Sequence, residues 1–251
     1  MNLHVYALKR SGNNVIRKWI TRGRLMAVCG NVRPEYLVEE GISFDAMGVK
    51  TPLPKDITRQ SLRYGSPRAF RMSSYFLPTY YAGVEDRFIP EHAVLTQDVQ
   101  HVIIVRNLKN CLASRLQRGK IASRMSYPTT LNQEMERILD VWVQHVNLST
   151  NPHSGVVGIY YDRWLQDESY RLAIGNQLGV HRAVEIPGAR ASGGGGSSFD
   201  GMAKVRDVNN LMNRFSRLDE KQALILKRCI EIPHVAAAIS KLESYHKLTS
   251  V

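Results

Sequence analysis

The sequence predicts an α/β protein, three layers deep (α/β/α), around a central and mostly parallel sheet. Three observations predict it. Strand-like and helix-like segments alternate at the spacing of strand–helix–strand units. The run "QHVIIVRN" (100–107) is continuously apolar at its centre, as for a strand buried on both faces of a parallel sheet. The stretch "HVYALKRSGNNVIRKWI" (4–20) passes from a short strand through a small polar turn into a helix.

Residues 3–8 are the first strand and 14–22 the first helix. Gly and Pro punctuate 41–59, which reads as loop with one short strand at most. Residues 60–92 show no clean period. Arg63, Arg68 and Arg71 mingle there with Tyr64, Phe70 and Tyr75, so the region either lines an acceptor site or packs on the sheet as an apolar loop. "AVLTQ" (93–97) and 100–107 are further strands. A helix over 108–118 follows, with Asn107 as cap and Gly119 as stop. In 131–149, Met135, Ile138, Leu139, Trp142, Val143 and Val146 fall on one helical face. "GVVGIYYDRW" (155–164) reads as another central strand, and "DESYRLAIGNQLGV" as another helix. Residues 188–201, "GARASGGGGSSFDG", form a glycine tract, read as an ordered loop or a linker, and two helices finish the chain. Trp19 and Trp142 belong to the core. The whole is expected to be one domain, 1–251.

Composition limits the partners. The chain has 251 residues, 43% hydrophobic, and a formal charge of +12, an excess that suits polyanions or phosphorylated ligands. Three scattered cysteines, Cys29, Cys111 and Cys229, make no metal knuckle and read as small buried hydrophobes of a reducing compartment. No apolar stretch has the length of a signal peptide or a membrane span. The expectation is a cytoplasmic protein without bound metal.

Two segments carry chemistry. A strand entering a helix through Arg10, Ser11, Gly12, Asn13 and Asn14 aims backbone N–H groups at one spot, and the helix dipole makes that spot attractive to an anion. Arg106 ends the buried strand of "IVRNLKNCLAS", with Ser114 two helical turns later. Both corners fall at the carboxyl ends of strands, where ligands of parallel sheets sit. GxxxxGK[ST] occurs nowhere: the one Gly-Lys pair, Gly119-Lys120, is followed by Ile121.

Taken together, "RSGNN" before an amphipathic helix resembles the 5′-phosphosulfate loop of the P-loop sulfotransferases, [KR]-[ST]-G-T-T. "RNLKNCLAS" is similar to their 3′-phosphate motif, R-[DN]-P-x-x-x-x-x-S. "YYDRWLQDESYRLAIGNQLGV" resembles a later Tyr-x-x-[LW] segment, and "GGGGSSFDG" a glycine-serine tract of bacterial members. The likeness spans about residues 4 to 201. Asn13 and Asn14 replace two threonines, Asn107 and Leu108 replace Asp-Pro, and Arg10 stands where many members have Lys.

The resemblance implies a bacterial- or viral-type member, with the fold of P-loop nucleotide-binding proteins. The implied donor is 3′-phosphoadenosine 5′-phosphosulfate (PAPS), whose product is the 3′,5′-bisphosphate (PAP). Arg10, Ser11, Gly12, Asn13 and Asn14 would hold its 5′ end, with Arg10 neutralising charge on the departing phosphate. Arg106 and Ser114 would grip the 3′-phosphate, with Ser197 and Ser198 closing over it. The acceptor, a saccharide, lipid, peptide or small alcohol, needs a general base. Asp98, past the strand 93–97, is the first candidate, and its bland alternative is a turn residue. His92, His101 and Glu85 lie nearby. Two polarised pockets, near Ser11 and Ser114, are expected an adenosine's breadth apart. The rivals are a basic nucleic-acid-binding protein and a P-loop nucleotide kinase.

Overall fold

A computed structural model of the chain describes residues 2–9, 11–21, 27–29, 80–89, 99–121, 133–180, 182–187 and 212–248. Its strands are β1 (Asn2–Ala7), β2 (Ala27–Cys29), β3 (Tyr80–Glu85), β4 (Val99–Val105) and β5 (Val156–Tyr160). They form one sheet in the order β2-β3-β1-β4-β5, and every pairing is parallel. The helices are α1 (Asn13–Thr21), α2 (Leu108–Ile121), α3 (Gln133–Ser149), α4 (Tyr161–Gln166), α5 (Glu168–Gln177), α6 (Glu220–Glu231) and α7 (Pro233–Leu248). A 3-10 turn, Arg214–Arg217, precedes α6.

The alternation of side chains along a strand explains why "VIIV" is apolar throughout. Val102 and Ile104 join Val5, Ile16, Trp19 and Trp164 in a core on the side of α1, α4 and α5. Ile103 and Val105 join Tyr6, Leu112, Trp142 and Cys229 on the side of α2, α3, α6 and α7. Helices on both faces make the three layers expected. Trp19 Nε1 donates to Ala183 O at 2.8 Å and Trp142 Nε1 to Arg106 O at 3.1 Å, so both core indoles bury without an orphaned donor. No described helix is long and apolar enough to cross a membrane.

Several boundaries differ from expectation. Tyr80–Glu85 is a strand, not irregular chain; it lies between β2 and β1, and its "YYAGVE" shows no clean alternation. Gly119 does not stop α2, which continues to Ile121, since a glycine inside a helix costs only about 1 kcal/mol. The stretch 155–164 breaks at Tyr160 into strand and helix, and β5 flanks the sheet among the described strands instead of lying at its centre. The strand expected at 93–97, the segment 41–59, the aromatic stretch to residue 79 and the glycine tract 188–201 lie outside the described residues.

Strand order locates the site. From β1 the chain moves outward to β2, returns through β3, then crosses to β4 and β5 on the other flank. The direction reverses around β1, and crevices of parallel sheets open at such a reversal, beyond the carboxyl ends.

Candidate anion-binding site

At the carboxyl end of β1 the chain turns tightly, Ser11 N–H donating to Leu8 O at 3.1 Å. Gly12 has φ +89° and its carbonyl starts α1, accepting from Val15 N–H (3.0 Å) and Ile16 N–H (3.1 Å). The position needs glycine twice: for the left-handed backbone, and because a Cβ would lie 2.1 Å from Cε2 of Tyr161. Asn13 Nδ2 donates to Glu85 Oε1 at 2.6 Å, which brings a carboxylate from the end of β3 to the turn.

Asp86 braces this turn from the neighbouring strand end. Its N–H donates to Ala7 O at 3.0 Å, and its carboxylate accepts from Lys9 N–H at 2.9 Å. The same carboxylate pairs with the buried Arg115 guanidinium and, at 3.6 Å, with the Lys9 ammonium. Arg115 Nη2 also donates to Lys9 O at 3.2 Å, and the Cys111 thiol donates to that carbonyl at 3.4 Å. Asp86 itself has φ +57°, a strained conformation for a non-glycine residue, held by these contacts.

The second corner lies where β4 gives way to α2. The Arg106 carbonyl is fixed by Trp142, and its guanidinium lies 5.0 Å over the Tyr161 ring with Nε 3.7 Å from Asp162 Oδ1. Asp162 Oδ2 accepts from Asn107 N–H at 2.6 Å. Burial pushes the Asp162 carboxyl up from its ordinary range, while Arg106, the Asn107 N–H and Arg214 pull it down. Asn107 caps α2, its Oδ1 accepting from Asn110 N–H at 3.3 Å. One turn further on, Ser114 Oγ accepts from Arg214 Nη1 at 3.2 Å.

β1 and β4 are adjacent, and their carboxyl ends are level within a residue or two (Ala7 opposite Ile104). Ser11, Gly12 and Asn13 therefore share one edge with Arg106 and Ser114. Tyr161 is their common wall, touching the Gly12 position on one side and carrying Arg106 on the other.

No family model and no curated protein matches the chain. Among solved structures it is similar to mouse sulfotransferase SULT7A1 complexed with PAP, with a TM-score of 0.52 at 13% identity, over 98% of this chain and 88% of that one. The fold is a sulfotransferase fold.

Within that sulfotransferase fold the two corners are not the open pockets the sequence predicts. Ser11 and Ser114 are each 1% exposed and Arg106 is 2% exposed, because Cys111, Tyr161, Asp162 and Arg214 pack around them. Arg10, His92, Asp98, Ser197 and Ser198 lie outside the described residues, and of Asn14 only the backbone, in the first turn of α1, is described. His101 is placed elsewhere: it pairs with His4 in the amino-terminal half of β4, ring centroids 5.2 Å apart. Asp86 and Arg214 join the candidate site unannounced by the sequence, whereas Tyr161 and Asp162 open the stretch likened to a Tyr-x-x-[LW] segment but were given no site role there. Tyr161 and Asp162 sit in a segment read as strand, and Arg214 reaches Ser114 across a separation of 100 residues.

Proposed function

We propose that this protein is a PAPS-dependent sulfotransferase, moving a sulfuryl group to an acceptor hydroxyl or amine. One observation carries the reading: two anion-directed corners at the ends of adjacent parallel strands, joined through Tyr161. A ligand with an anionic group on each side of one ribose needs such a pair, whereas a singly phosphorylated ligand needs one. The donor set fits it: a helix-initiating turn with a left-handed glycine at one corner, and two guanidiniums and a hydroxyl at the other. That a solved protein of the same fold is complexed with PAP supports the reading.

In this mechanism the acceptor oxygen attacks sulfur in line with the bond to the 5′-phosphate. The S–O bond to the acceptor forms as the S–O bond to that phosphate breaks. The acceptor's proton passes to a general base. Arg10 and the backbone N–H groups from Gly12 to Asn14 offset charge on the leaving phosphate, beside Ser11, whose own N–H closes the turn. Arg106 and Ser114 anchor the 3′-phosphate, with Ser197 and Ser198 covering it. Asp98 is the base proposed from sequence. Glu85 has the better structural support, since its carboxylate ends β3 beside the turn and already accepts from Asn13. The acceptor is a saccharide, lipid, peptide or small alcohol.

Calorimetric titration with PAP, without metal, tests this. Wild type is expected to bind with a Kd of about 1 μM, near −8 kcal/mol, and Arg106→Ala about tenfold or more weakly. Equal binding by both removes Arg106 from the site. Affinity for ATP with Mg²⁺ alone identifies a kinase, and salt-dependent binding of random oligonucleotides without PAP affinity identifies a nucleic-acid binder.

A further inference from the structure

We infer that the last turn of α7 is a pH-sensitive latch on the flank of the sheet, closed while the His246 ring lies stacked on Tyr160 and released when that ring takes a proton. The latch is independent of which ligand the two anion corners take.

α7 turns one apolar face to the core, with Val235, Ala238 and Leu242 buried at successive turns. The next position of that stripe is His246, a titratable residue where the pattern calls for an apolar one. The body of the helix is held without it. Besides the three core side chains, two contacts join it to α3: His234 Nε2 lies 3.1 Å from Asp140 Oδ1, and Lys241 Nζ donates to Asn147 Oδ1 at 2.9 Å. Past Leu242, Glu243, Ser244 and Lys247 are exposed, and Tyr245 and His246 alone among the described side chains are half-buried. The last turn therefore rests on what these two rings touch.

His246 touches the end of β5. Its imidazole lies face to face on the Tyr160 ring, centroids 4.2 Å apart and planes 15° from parallel. The Tyr170 ring stands perpendicular to it at 6.3 Å, and Tyr245 of its own helix does so at 5.4 Å. Tyr170 is bonded through its hydroxyl to the β5 backbone, at Tyr160 N–H and Gly158 O. The Tyr160 hydroxyl meets the side chain of Asn107, the cap of α2. The closed latch thus ties the end of α7 to β5, to α5 and to the start of α2.

The surroundings of the ring oppose a charge on it. Arg163 of α4, paired with Asp167 at 2.9 Å, is the cation that acts on it. Burial pushes the Tyr160 and Tyr170 hydroxyls up, so both phenols stay neutral, and Glu243 and Lys247 face water. A tyrosine face attracts a cation, but Arg163 already takes that place, 4.6 Å from the Tyr170 centroid. Burial first, and Arg163 second, take the ring down to about 4. Released into water, it returns to 6.5. Between those values protons favour the released turn, and the open population at pH 5 is about thirtyfold that at pH 7.5.

Hydrogen exchange of the full chain, read by mass spectrometry as protection factors at pH 7.5 and pH 5, tests this on wild type, His246→Phe and His246→Ala. Amides 245–248 of wild type should lose about thirtyfold in protection at pH 5, by local opening of the turn. His246→Phe keeps a ring on Tyr160 and removes the proton, so its last turn should stay protected at both pH values. His246→Ala removes the stack and should leave the turn unprotected at both. His4, His101 and His145 are unchanged in all three proteins, so their effect on the whole chain cancels in the comparison. A wild-type turn equally or better protected at pH 5, or a His246→Phe turn that loses protection as wild type does, overturns the inference.

Discussion

Glu85 and Asn13 form a residue pair at the turn that local sequence does not announce. Four candidate bases, Asp98, His92, His101 and Glu85, are within a short span of chain, and the sequence puts Asp98 first for its place past a strand end. Pairing β3 with β1 puts Glu85 opposite Ala7, beside the turn, and the 2.6 Å bond to Asn13 orients its carboxylate. The same pairing logic sends His101 to the other half of β4. Glu85→Gln should lower the rate of PAPS consumption, with a simple phenol as test acceptor, by about 10²–10⁴-fold while PAP affinity changes little. A loss confined to Asp98→Asn would instead assign the base to Asp98. Ser11, Gly12, Asn13, Arg106 and Ser114 could be named as candidates because each sits in a contiguous pattern tied to a strand end. Arg214 could not, because only packing brings it to Ser114 from a distant turn, and Tyr161, though inside a motif-like segment, fills the space a Gly12 side chain would occupy only in the folded chain.

At the scale of elements, the strands missed by sequence and the strand overextended by it have a shared cause. Period-2 alternation marks strands with one wet face, and it vanishes for strands covered on both. β3, with two tyrosines, Ala82 and Gly83 in succession, shows no such alternation. Beyond it, α3 takes over as a support: Gln144 exchanges hydrogen bonds with the Ile89 backbone at 2.8 and 3.0 Å, and Arg137 Nη1 donates to Asp86 O at 2.8 Å. At the opposite flank, the continuous aromatic run after β5 hides a change from strand to helix. Here, beyond the last of the described strands, Tyr170 of α5 meets the β5 backbone, its hydroxyl accepting from Tyr160 N–H at 2.9 Å and donating to Gly158 O at 3.2 Å. Both groups would otherwise be orphaned at the flank of the sheet. Tyr170→Phe should cost about 1–3 kcal/mol by leaving that donor unmet. At about 2–4 °C per kcal/mol for a chain of this size, a melt followed by circular dichroism should fall by several degrees. An unchanged melt would mean that another group satisfies the strand.

The whole molecule couples its stability to pH through histidines that it buries. Burial, with His101 beside it, takes His4 down to about 3; burial takes His101 and His145 to about 4. In an unfolded chain each titrates near 6.5. Between those values the unfolded state binds more protons, so stability rises with pH. The stability is intact above about 6.5 and is lost as pH falls toward the folded values, at a slope approaching about 1.4 kcal/mol per unit for each histidine. Urea midpoints measured from pH 7 to pH 5 should fall steadily, and His145→Gln, which keeps a donor for the Arg87 carbonyl that Nε2 meets at 3.1 Å, should flatten the fall. A midpoint independent of pH in that range would show that these rings titrate normally. Fold class was readable at this scale, since alternation of elements and one apolar strand already imply layers; strand order was not, because it depends on which connections cross which face.

The reach of Arg214 to Ser114, with Asn110 clasping the Met212 and Arg214 backbone, also bears on when the second corner is complete. The last described strand is finished at Tyr160, so a growing chain has the residues of the sheet long before the turn that reaches Ser114 has been synthesised. The contact between Arg214 and Ser114 then waits for the carboxyl-terminal quarter of the chain, and a chain truncated before that turn would carry the described strands without it.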